Sequence, residues 1–279
     1  MLWGFTAIFG RLISLPAFDL VWWRMFIVVA AVAILPPFWR AVRPLDRRAV
    51  AIFAGIGVIV ALHWLTFYGS IKLANASVAA SCMGVAPAFI ALLEPLILRS
   101  RFDPRDLIVG VVAIPGVALV VGGTPVGMRS GIAVGIVSAL LVALFGALNK
   151  RYVRLGEPLA VTGLELAAGT VFLTLAAVAW PGLTGGMPSI PGARDAAYLV
   201  VLSIGCTLLP FSLALVALRQ LSAFSAQLAV SLEPVYAIVL AIVLLNEQRE
   251  LDARFYFGVA IILGSVFAHT AFKLRAAAP

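Results

Sequence analysis

Apolar runs of roughly twenty residues recur along this chain, each closed by a short polar segment, a length that fits a hydrocarbon core about 30 Å thick. They fall at about residues 2–15, 18–38, 49–69, 75–98, 106–122, 131–149, 158–180, 196–218, 222–245 and 255–273. The pattern predicts an all-α, polytopic membrane protein with ten transmembrane helices. Alternating strands of about ten residues, the mark of a membrane barrel, do not occur. The first run is short. Fourteen residues reach only about 21 Å, so either the helix is half-length or its start lies earlier.

The pattern also repeats. Ala74 to Val121 carries a small-residue helix, a mid-helix Pro87, an apolar run, a charged loop and a glycine-bearing helix, and Leu221 to Ala268 does the same around Pro234. Pro87 and Pro234 lie 147 residues apart, whereas Gly110 and Gly116 match Gly258 and Gly264 at 148. Gly122-Gly123-Thr124-Pro125-Val126-Gly127 has the composition of a linker. These observations predict a first five-helix repeat over 1–122, a linker over 123–130 and a second repeat over 131–275. Five is odd, so the second copy is inverted, the arrangement of transporters with a central site.

Composition narrows the picture. The chain is 63% hydrophobic and 11% charged, against about half and a quarter for soluble domains. Its net charge of +8 is dispersed over loops, so it implies no nucleic-acid partner. Thirteen of the lysines and arginines fall on one set of alternate loops and five on the other. The positive-inside rule puts the thirteen, and both termini, in the cytoplasm. The longest loop, Pro181 to Gly192, is expected on the opposite surface. No basic, cleavable leader precedes the first run. Cys82 and Cys206 lie in apolar runs and suggest neither a disulfide nor a metal site.

Glu233 is the sharpest candidate residue, because a carboxylate near mid-membrane costs at least about 2.5–3.5 kcal/mol unless neutralised, paired or hydrated. Two readings stay open: a proton-coupling site, or a group that orders the helix break beside Pro234. His63, Trp64 and Phe67 form a candidate aromatic wall for substrate, with His63 and Phe67 on one helix face; a satisfied interhelical histidine is the alternative. Gln227 and Tyr236 complete the substrate-contacting set. Pro87, Pro210 and Pro234 are candidate hinges or kinks, and Pro115 a further kink. Lys150 is expected to snorkel to headgroups. Glu94 and Glu165 are expected to pair with a loop arginine, and Arg24 to snorkel or pair at the interface, where Asp19 is the nearest acid. Small residues at Ser77, Ser81, Gly84, Gly131, Gly135 and Ser138 predict close helix packing. No metal-ligand spacing, phosphate-binding glycine loop or hydrolytic triad is present, which points away from an enzyme and from a self-contained ATP-driven pump.

The stretch Ser231-Leu232-Glu233-Pro234-Val235-Tyr236-Ala237, continuing to Leu245-Asn246-Glu247 and Gly258 to Gly264, resembles the last two helices of EamA-type transporters of the drug/metabolite transporter superfamily. Ala74-Asn75-Ala76-Ser77, Pro87, Gly110 to Gly116, the Trp3-Gly4-Phe5 start and Arg24 resemble the same family more loosely. Arg99-Ser100-Arg101 departs from the Gly-Glu-like helix end expected there. The resemblance covers essentially the whole chain. It implies a ten-helix secondary transporter of the bacterial inner membrane, with a central cavity between inverted repeats and no cofactor. A small amphipathic metabolite such as an amino acid is the expected cargo, exported by a monomer or homodimer in the lipid bilayer, with Glu233 as the candidate for proton coupling. An uptake permease, and a non-transport scaffold or lipid-flipping accessory subunit, are the alternatives.

Overall fold

A computed structural model describes residues 2–102, 104–221, 226, 230 and 232–276, and these are helical with no strand. In chain order the helices are α1 (Gly4–Leu12), α2 (Ala17–Ala33), α3 (Pro36–Val42), α4 (Arg47–Leu73), α5 (Ala76–Met83), α6 (Ala86–Leu98), α7 (Pro104–Gly122), α8 (Arg129–Tyr152), α9 (Pro158–Ala179), α10 (Pro181–Thr184) and α11 (Ala193–Val200). A π-helical segment (Val201–Leu208) leads into α12 (Leu209–Leu218), and α13 (Glu233–Leu245) and α14 (Ala253–Ala276) follow. Five helical runs are long and apolar enough to cross a membrane: Arg47–Leu73, Ala76–Leu98, Val126–Leu155, Pro158–Ala179 and Ala193–Leu218. Shorter apolar helices lie at Glu233–Leu245 and Ala253–Ser265.

Two expected spans end early. The run at 18–38 stops at Ala33 and turns through 92° into α3. Pro36 and Pro37 lack the N–H groups that would continue the ladder, so the helix breaks before them. The first helix is indeed short. Its nine residues rise about 14 Å, and its end is fixed by neighbours. Lys72 Nζ donates to the Ile13 carbonyl at 2.5 Å, and Ser14 donates through N and Oγ to Asp195 at 3.1 and 2.6 Å.

Helix packing obeys the repeat. Matching the first five spans to the second five, α4 against α8 corresponds to the π segment against α1, and both pairs touch. Likewise α4 on α9 answers α11 on α2, and α6 on α8 answers α13 on α1. Three contacts map onto themselves: α2 with α9, α5 with α13, and α7 with α14. Such a pattern is what a pseudo-two-fold axis between two repeats produces. The chains approach closely where glycine allows. A Cβ on Gly57 would stand 2.0 Å from the Glu165 carbonyl oxygen, and one on Gly258 would stand 2.5 Å from that of Gly116.

The repeat extends to helix ends. α6 and α13 each hold thirteen residues. Pro87 and Pro234 each occupy the first turn of these helices, where a missing N–H costs nothing. Each helix then closes on a left-handed residue, Arg99 at φ 54° and Asn246 at φ 57°. Arg99 and Asn246 stand 147 residues apart, like the prolines. Pro210 likewise sits in the first turn of α12, where the π segment ends. The three prolines stand in the first turn of a helical segment, and Pro87 and Pro210 do so inside the longer apolar runs Ala76–Leu98 and Ala193–Leu218.

Candidate functional site

A cavity of about 130 Å³ lies between the repeats, lined by Trp3 and Thr6 of the first span, Arg24 of α2, and His63, Trp64 and Phe67 of α4. Met83 and Ile90, Val142 and Phe145, Phe211 and Leu218, and Glu233 complete most of its wall. An apolar cavity of ~150 Å³ holds a benzene molecule, so this space suits a small metabolite. Of the residues singled out from the sequence, the fold brings His63, Trp64, Phe67 and Glu233 to this one cavity. Tyr236 is not on the wall. A Cβ on Gly4 would lie 3.0 Å from Tyr236 Cβ, so Tyr236 packs where α1 crosses α13. Gln227 lies outside the described residues.

His63 is buried, and its network assigns its tautomer. Ser138 Oγ donates to the His63 carbonyl at 3.0 Å, which leaves Oγ to accept from Nδ1, 2.8 Å away. Nδ1 also lies 3.0 Å from the Ser138 carbonyl, which can only accept. Nδ1 therefore carries the proton, and Nε2 is left as an acceptor. Phe145 and Phe67 flank the ring, with centroids 5.4 and 6.2 Å from it. Small residues permit this packing: a Cβ on Gly135 would lie 2.7 Å from Cys82 Sγ, and one on Gly131 2.6 Å from Ala74 Cβ.

Glu233 is half-buried and opens α13, where the helix dipole favours negative charge. Thr6 Oγ1 lies 2.6 Å from the Trp3 carbonyl and 3.5 Å from Glu233 Oε1. Its single proton belongs to the shorter bond, so Glu233 is only loosely tethered.

Arg24 is where sequence reasoning falls short. It neither snorkels nor pairs with Asp19. It is 3% exposed, with Nε donating to Thr207 Oγ1 at 2.7 Å and Nη1 to Tyr68 Oη at 2.8 Å. Its guanidinium lies 3.8 Å from the centre of the Trp64 ring, a cation–π contact. Asp19 instead receives the Ser189 N–H at 3.1 Å, and Trp23 Nε1 donates to the Ser189 carbonyl at 2.8 Å, which straps the 181–192 loop to α2. Thr207 and Tyr68 are 183 and 44 residues from Arg24, beyond any local pattern. The available signal was the lack of an acid one helical turn away.

Lys150 Nζ donates to the Leu218 carbonyl at 2.8 Å and to that of Leu221, closing the end of α12. One further expectation is corrected. Glu165 meets no arginine among the described residues. It is fully buried between α8 and α9, where Asn149 Nδ2 donates to Oε2 at 3.4 Å. Glu165 Oε1 and Asn149 Oδ1 have no hydrogen-bond partner among the described residues. A proton on Glu165 given to Asn149 Oδ1 would satisfy both oxygens in one cyclic acid–amide pair, and an ionised carboxylate would satisfy neither.

The EamA-like transporter family model matches residues 1–122 and 129–270. A solved structure, titled only as the crystal structure of a protein, is similar at a TM-score of 0.70 and 18% identity, over 99% of this chain and 95% of that one. That likeness speaks to the fold alone. Comparison with curated proteins gives no match.

Proposed function

Because the chain belongs to the EamA-like transporter family, we propose that it is a secondary transporter carrying a small amphipathic metabolite, such as an amino acid, through this cavity. The family makes it a multi-pass membrane protein with a small-molecule substrate. In our reading it exports that substrate across the bacterial inner membrane, with both termini in the cytoplasm. The observation that carries the reading is one cavity with an apolar wall and two groups of opposite character, the Arg24 guanidinium and the Glu233 carboxyl. No ion pair joins them among the described residues. Two polar groups of opposite character in a wall that includes Phe145, Phe211 and Ile90 fit a solute with polar termini and an apolar body.

Coupling follows from the same place. Glu233 is the cavity's proton-exchangeable group with the weakest tether, and it stands at the start of α13. Proton exchange there would change the charge next to substrate without breaking a strong bond. The test is uptake and efflux in proteoliposomes loaded with an amino-acid pool, with and without an imposed pH gradient. Export reads as efflux driven by an inward proton gradient. Accumulation in the opposite sense would make it an uptake permease, and no movement of any solute would leave a scaffold.

A further inference from the structure

We propose that Arg24 is the anion subsite of this cavity and that the substrates are small carboxylates with an apolar body. The proposal rests on the transport reading above and narrows it. A guanidinium offers five N–H donors and keeps its charge under all ordinary conditions. Here Nε is spent on Thr207 and one Nη1 hydrogen on Tyr68, both neutral partners. Trp64 supports one face of the plane. These three contacts orient the group and none neutralises it. No carboxylate lies within 4 Å of it among the described residues. Glu233 acts on Arg24 across the cavity but does not touch it; a buried cation with no carboxylate in contact is costly, and a bound anion lowers that cost.

The remaining donors face the right way. Arg24 lines the cavity, and Nη2 meets no protein acceptor among the described residues, so the outer fork of the guanidinium is open to a ligand. That edge matches the two oxygens of a carboxylate. The scaffold behind it is built for the purpose. The π-helical segment turns Thr207 toward Arg24 and fixes its hydroxyl, which lies 2.7 Å from the Leu202 carbonyl five residues back. Such π segments occur often at functional sites. Tyr68 in turn is held against α1 by Gly10, where a Cβ would stand 2.6 Å from the tyrosine ring.

Leucine and phenylalanine, their carboxamides, and the corresponding amines without the carboxylate test this on the purified full chain, by tryptophan fluorescence and thermal shift. Trp64 is the local reporter. The acids should bind about ten- to a hundredfold more tightly than the amides and amines, the scale of one charge-assisted contact. Arg24→Gln should lose that preference while binding the amides as before. Amides binding as well as acids, or no binding by any probe, overturns the subsite. The comparison on the unaltered protein decides even if Arg24→Gln fails to fold. Proteoliposome transport of the same probes separates the two claims. Acid-selective binding without transport rejects the transport reading and keeps the subsite, whereas equal transport of acids and amides does the reverse.

Discussion

The two ends of the bundle are built from equivalent positions and are fastened differently. At one end, the loop after α13 reaches across to the other repeat. Glu247 is 1% exposed and accepts from the Ala76 and Ser77 N–H groups at 3.0 and 2.8 Å, capping α5 with a carboxylate. Asn75 Nδ2 donates to Glu250 Oε2 at 2.9 Å, and Arg11 approaches Glu250 at 3.7 Å. An anion on a helix N-terminus satisfies orphan donors and opposes the helix dipole. At the other end, Ser100 stands 147 residues before Glu247 and is exposed. Fastening there falls to cationic side chains on carbonyls: Lys150 on Leu218, Arg151 on Ile97 and Arg219 on Gly156. The cavity wall draws on both halves: Trp3, Ile90, Phe145 and Leu218 lie in the half of their spans nearer the Ser100 end, and Arg24, His63, Trp64 and Phe67 in the half nearer the Glu247 end. Equivalent positions thus give a carboxylate latch on a helix N-terminus at one end and an exposed serine at the other.

The sharpest way to break this comparison is accessibility. With Cys82 and Cys206 replaced by alanine, a thiol at Ser100→Cys should label fully and one at Ser77→Cys hardly at all. A membrane-impermeant reagent added to cells should label the 181–192 loop and spare both Ser100→Cys and the Arg40–Arg48 loop. Labelling of Ser77→Cys at the rate of Ser100→Cys would show that the latch is not closed in solution.

Glu233 and Asn246 bound the same helix, so α13 links the cavity to the latch. Glu233→Gln keeps shape and hydrogen bonds while removing the exchangeable proton. It should abolish transport driven by a pH gradient and leave substrate exchange in place. Normal gradient-driven transport by this variant would end the coupling role and leave Glu233 a structural residue.

Glu247→Ala should cost about 2 kcal/mol in thermal unfolding, from two uncapped N–H groups in a buried site. Ser100→Ala should stay within about 0.5 kcal/mol. Equal effects would mean that the two ends are fastened alike.

The smallest effect is expected at Glu165. If it is a neutral acid paired with Asn149, Glu165→Gln preserves both bonds and should be silent to within about 0.5 kcal/mol, while Glu165→Ala costs about 2 kcal/mol. A large loss of stability in the glutamine variant would show that the carboxylate itself is required.

The sequence by itself determined what depends on near neighbours and on total apolar length. Each span announces itself because a bilayer demands an uninterrupted apolar run with its backbone bonds satisfied internally. Pro87 and Pro234 mark interruptions of the helical ladder because proline constrains its own residue and the one before; that each opens a new helical segment was shown by the fold. Glu233 and His63 stood out because a polar group in an apolar run is costly wherever it faces. Which polar groups meet was left to the tertiary structure. Arg24 reaches Thr207 across 183 positions, and Glu247 reaches Ala76 across 171. Hydropathy treats Arg24 as a surface cation, because it carries no record of a hydroxyl and an indole waiting on other helices. Nor does it distinguish Glu165 from a paired acid, since its setting arises only where Gly57 lets α4 and α9 touch. Span order and helix ends are local properties of the chain, whereas charge pairing in a low-dielectric interior depends on distances that packing alone creates.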